Sequence, residues 1–172
     1  MGQQLLLNIR TRVEQFTEYT GKLLSWLTLL MMLLMVLVVV LRYGFNMGWI
    51  AMQESIIYLH ACVFMLGAAY TLKHDEHVRV DIFYRRFSKK NQAIVNILGT
   101  ALFLIPVCIT LLIISWQYVA ASWQLLESSK EAGGLPLVFI LKSFIIGFVI
   151  TLLIQAVAEL IKHTTLLFQK QQ

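Results

Sequence analysis

Apolar residues in this chain come in long runs, without the short alternation of a soluble fold, and four of the runs are long enough to cross a bilayer. Residues 23–41 carry no charge between Lys22 and Arg42. At about 1.5 Å per residue such a helix spans a hydrocarbon core of roughly 30 Å. Residues 55–72, bounded by Glu54 and Lys73, form the second run, with His60 as the one ionisable residue inside it. The third, 91–126, is too long for one crossing and too short for two with a turn. It predicts a span over 94–115 whose helix continues through Trp116 and Trp123, with Pro106 as a kink. In "ESSKEAGGLP", Gly133 and Gly134 break the chain and Pro136 suits a first helical turn. Residues 135–158 are then the fourth span, with Lys142 inside it.

Two further segments alternate at helical spacing and predict helices that lie on the membrane. Leu5, Ile9, Val13, Phe16 and Thr20 fall opposite Arg10, Arg12, Glu14 and Glu18, which predicts an interfacial helix over 5–22. In 73–90, Val80, Phe83, Tyr84 and Phe87 share a face while Asp81 and Arg85 stand four apart on another. The predicted fold class is therefore an all-α integral membrane protein. It has four transmembrane helices, an N-terminal amphipathic surface helix and a short cytoplasmic surface helix, in a single membrane domain over 1–172. Trp26, Trp49, Trp116 and Trp123 sit near the predicted interfaces, where amphipathic aromatics gather.

Composition supports this reading and charge orients it. The chain is 59% apolar and 13% charged, with a mean hydropathy of +0.75, against about a quarter charged in soluble domains. Lys and Arg total 14 and Asp and Glu 9, a net +5. The bases flank apolar runs, so they report membrane orientation and not a nucleic-acid partner. With the N-terminus in the cytoplasm, the inside segments hold eleven Lys and Arg and the outside only Arg42, Lys130 and Lys142. Both termini and the 73–90 loop are expected to be cytoplasmic. Cys62 and Cys108 lie in apolar runs without metal or redox spacing. The first apolar run exceeds the usual h-region and lacks a following A-x-A site, so a retained span is expected. With the chain spent on crossing the bilayer, no soluble catalytic domain and no enzyme activity are expected.

"HDEH" offers His74, Asp75, Glu76 and His77, atom types that suit a metal, but it equally suits a solvated helix end, and no further ligand recurs nearby. Membrane haem commonly takes two histidines, and only His60 lies well within a span. No catalytic or metal site is expected. Lys142 is either functional or turned back to the surface along its stem. Arg42 and Glu54 bracket the first external turn, as a pair or as two solvated ends. None of the four spans holds a midplane carboxylate of the kind ion coupling ordinarily uses. Small residues mark helix contacts: Gly67 and Ala68 in "LGAAY", and Ser143, Gly147 and Thr151 four apart.

In order along the chain, "LRYGFN", "WIAMQES", "FMLGAAYTLKHDEHVRVD" and "GGLPLVFILKS" precede the final span. Together they closely resemble the small membrane subunit, the dicarboxylate-type Q subunit, of tripartite ATP-independent periplasmic (TRAP) transporters. The matching positions are Arg42, Tyr43, Trp49, Glu54, Gly67, Ala68, Ala69, His77, Arg79, Val80, Asp81, Gly134, Leu135, Pro136, Lys142 and Ser143. Gln53 departs from a second acid often found before Glu54. The resemblance implies a bacterial inner-membrane protein permanently bound to a separate, larger, elevator-type membrane subunit that holds the substrate and sodium sites. It also implies a periplasmic binding protein that delivers an organic acid. This chain would then enlarge the stationary scaffold and help docking, with no cofactor of its own and lipids around it. Arg42, Glu54, Gly67, Ala68, Lys142, Ser143, Gly147 and Thr151 are the candidate partner or packing contacts. His77, Arg79, Asp81, Arg85, Trp26 and Trp49 are the candidate loop and interfacial anchors. A haem-holding redox anchor and a homo-oligomeric small exporter are the alternatives.

Overall fold

The computed structural model describes residues 2–77 and 84–168, with side chains from residue 4. Its regular structure among these residues is helical, and four helices are long and apolar enough to cross a membrane. α1 (Gly2–Gly44) is one 43-residue helix. The expected division into a surface helix over 5–22 and a span over 23–41 is therefore absent: the backbone is continuous through Gly21 and Lys22. Packing gives the reason. Thr17, Thr20, Leu24, Leu27, Met31, Leu34, Val38 and Leu41, at alternating steps of three and four, are drawn wholly or partly out of solvent. This narrow seam crosses residue 22 without a change of phase, so one straight contact line serves both halves.

α2 (Ile50–Lys73) returns antiparallel beside α1 after a short connection in which the Met47 N–H donates to the Leu41 carbonyl at 2.9 Å. Residues 78–83 lie outside the described residues, so the expected surface helix over 80–87, with Arg79 and Asp81, falls largely outside them. The chain re-enters at Tyr84, and the Ser88 hydroxyl accepts from the Asn91 N–H to start α3 (Lys89–Gly99).

A π-helical turn, Thr100–Leu104, joins α3 to α4 (Ile105–Gln124) without a break. It absorbs Pro106, which has no N–H and whose ring would crowd the carbonyl four residues earlier in a regular helix. The whole helix runs 36 residues, Lys89–Gln124, and passes Trp116 and Trp123 as the sequence predicts. α5 (Val138–Phe168) begins after Pro136 and continues ten residues beyond the expected end at 158.

α5 is the axis of the bundle and packs against all the other helices. Val149, Leu152, Gln155, Ala156, Ala158, Glu159 and Ile161 on it are buried. The core joins Val149 and Leu152 to Ala69 of α2 and Cys108 of α4, ringed by Ala68, Leu72, Leu104 and Phe148. Gly147 leaves room for Leu66 of α2, since a Cβ there would stand 2.8 Å from Leu66 Cδ2. By contrast, α1 uses only its seam, and its remaining apolar side chains over the span are exposed.

Candidate functional site

Polar side chains gather at the two ends of the bundle. One end holds the α1–α2 and α4–α5 connections, and Glu54 organises it from the first turns of α2. Its carboxylate accepts the Ser129 hydroxyl and, at 2.6 Å, the Leu135 N–H. The α4–α5 loop is thereby tied down over α2. Gly134 keeps that approach open, because a Cβ there would crowd Ser129 and stand 2.9 Å from Glu54 Oε1. Within the loop the Ser129 N–H donates to the Leu135 carbonyl at 3.0 Å, and Gly133 takes a φ of +80° that favours glycine.

Beside it, Glu127 accepts the Ser122 hydroxyl at 2.7 Å and pairs with the Lys142 ammonium. That ammonium also stands 4.0 Å above the Tyr118 ring. Lys142 therefore turns back to the loop end of the bundle and is satisfied there, with Lys142 and then Ser122 holding the Glu127 carboxyl below the usual glutamate range. At the next residue, the Ser143 hydroxyl accepts from the Trp123 indole N–H at 2.8 Å, and the Trp123 ring meets Phe139 edge-on at 4.7 Å.

The opposite end holds the start of α1, the end of α2, α3 and the end of α5. Glu18 pairs with Lys73 at 2.6 Å and lies 3.1 Å from His74 Nε2. Thr17 donates to Gln155 at 2.8 Å in a fully buried contact between α1 and α5. Gln155 leads on to Glu159, which pairs with Lys162 at 3.1 Å and His163 at 3.2 Å. His163 in turn meets Asn96, whose amide donates to the Tyr84 hydroxyl at 2.9 Å. These contacts bind α1, α3 and α5 together around a buried carboxylate, which is tolerable only because it is paired.

The candidates from the sequence thus separate. Glu54, Lys142, Ser143 and Gly147 make contacts inside this chain. Thr151 returns its hydroxyl to the Gly147 carbonyl at 2.9 Å. Ala68 packs on the core. Arg42 is exposed and Glu54 is engaged elsewhere, so the two do not pair. Gly67 has no atom within 4 Å of where a Cβ would stand. Trp26, Trp49, His77 and Arg85 are exposed, and Arg79 and Asp81 lie outside the described residues. Sequence reasoning missed Glu127, Ser129, Thr17 and Gln155 as contact residues. Polar residues at the edges of apolar runs were the available signal.

Among the described residues, no three His, Cys, Asp or Glu side chains converge as a metal-ligand set. What the arrangement provides is two fastened ends and a set of apolar outer helix faces. No curated protein and no solved structure matches the chain. The family model described as "Tripartite ATP-independent periplasmic transporters, DctQ component" matches residues 31–166, and the chain belongs to that family.

Proposed function

We propose that this chain is the small permease subunit of a sodium-coupled, binding-protein-dependent transporter for organic acids, acting as a stationary brace for a separate, large, elevator-type membrane subunit. The observation that carries this reading is the contrast between fastened ends and free flanks. Of the polar side chains that could serve ion coupling, Glu54, Glu127 and Lys142 are engaged in contacts that hold helices and loops together, and Glu159 is paired within α5 itself. Apolar side chains on the outer faces of α1, α2 and α4 remain exposed, some for lipid and some for a partner. A partner that slides through the bilayer needs a wall that does not move, and a bundle pinned at both ends meets that requirement.

In this reading the end bearing both termini faces the cytoplasm of a bacterial inner membrane, in keeping with the excess of Lys and Arg in its segments. The Glu54-fastened loop then faces the periplasm, where it offers an ordered surface to the binding protein. The test is affinity purification of the tagged chain in mild detergent. A large membrane subunit is expected in stoichiometric yield, whereas a chain recovered alone, or only with copies of itself, would contradict the proposal.

A further inference from the structure

α2 presents an outward face that differs from those of α1 and α4. Ile57 and Phe64 on it are 58% and 70% exposed, and His60 between them is exposed as well. His60 lies about 15 Å along the helix from Ile50, well inside the hydrocarbon depth. Its ring stacks on Phe64, centroids 6.1 Å apart, and no hydrogen-bonding group of the described residues reaches its nitrogens. Exposed hydroxyls elsewhere in the spans are satisfied by their own helices: Thr28 by the Leu24 carbonyl, Thr110 by Pro106 and Ser115 by Leu111. An imidazole cannot reach back in that way. Left facing lipid, it would keep a polar N–H and a lone pair without partners, a cost that confines intramembrane histidines to protein interiors, interfaces and wet cavities.

Gly67 lies on the same face, seven residues and hence nearly two turns from His60. Its empty surroundings mean that nothing among the described residues requires a glycine there. A polar group and a backbone-exposing residue on one outward face are the two means by which transmembrane helices bind each other.

We infer that the Ile57–His60–Phe64–Gly67 face of α2 is a docking surface for a transmembrane helix of the large membrane subunit. That helix packs its backbone near Gly67 and places a hydrogen-bonding side chain or free carbonyl opposite His60. The inference rests on the reading of the chain as one subunit of a larger complex, in keeping with its family's place in a multi-component transporter.

The test uses the full chain co-expressed with its large subunit. A photo-crosslinking p-benzoyl-phenylalanine replaces Phe64 or, separately, the exposed Ile114 of α4. An adduct with the large subunit is expected from position 64 and none from 114. His60→Leu is expected to lower co-purification of the large subunit about three- to tenfold, and His60→Gln to preserve it within about twofold. Adducts from position 64 with lipid alone or with a second copy of this chain, while the large subunit still co-purifies with the wild type, overturn the choice of face and leave the subunit reading standing. Failure of the wild type to retain any large subunit overturns both.

Discussion

At the scale of residues, Glu54 shows how one carboxylate can set the shape of a loop. It receives the Ser129 hydroxyl and the Leu135 N–H, one on each oxygen, so removing it frees both donors at once. Glu54→Ala is expected to lower the melting midpoint of the detergent-solubilised protein and to expose the α4–α5 loop to protease. Glu54→Gln, which keeps one acceptor, should fall between the two; equal behaviour of all three proteins would rule out the fastening role. Glu127 gives a pH dependence of definite sign. Its folded pKa lies below the usual value, so its contribution is complete above the unfolded pKa of about 4.3 and is lost as pH falls through the folded value. Melting curves should therefore lose stability below about pH 4, and Glu127→Gln should flatten that part of the profile. The charges themselves were legible in the sequence, at the edges of apolar runs. Their partners were not, because Glu54 meets residues 75 and 81 positions away and no local spacing rule reaches that far.

At the scale of elements, the continuity of α1 is the main departure from the sequence pattern. Residues 5–22 are amphipathic enough to suggest a helix lying on the membrane, yet Thr17 is buried against Gln155 and Glu18 pairs with Lys73. The moment of an isolated segment cannot reveal that its polar side has a partner on another helix. In a cysteine-free background, Thr17→Cys with Gln155→Cys should crosslink readily through a short bifunctional reagent. A surface-lying first segment would instead leave the pair unlinked. The α2–α5 contact is testable through Gly147→Leu, where the added side chain must displace Leu66. A loss of about 1–3 kcal/mol is expected from overpacking, and unchanged stability would show that the helices can part freely. The four spans were legible because uninterrupted apolar length is a strong signal. The π-helical turn before Pro106 was legible only as a kink, since a proline announces a disturbance without specifying how the backbone resolves it.

At the scale of the whole molecule, the bundle has one well-buried helix, α5, a half-buried α2, and two helices, α1 and α4, that are largely exposed along their spans. Both ends are held by polar contacts, and the outer faces are left for lipid or protein. The candidate site was legible as an inventory of surfaces: Gly67, Gly147 and Lys142 all stood out. Which of them turn inward depends on how the helices rotate in the bundle, and Gly147 turns towards Leu66 while Gly67 does not meet its own chain. In the proposed function this subunit braces transport and does not itself carry it out. The most direct measurement is uptake of a labelled organic acid into liposomes under a sodium gradient, with this chain alone or together with the large subunit and the binding protein. Uptake is expected only when all three are supplied, and sodium-driven uptake by this chain alone would contradict the bracing role.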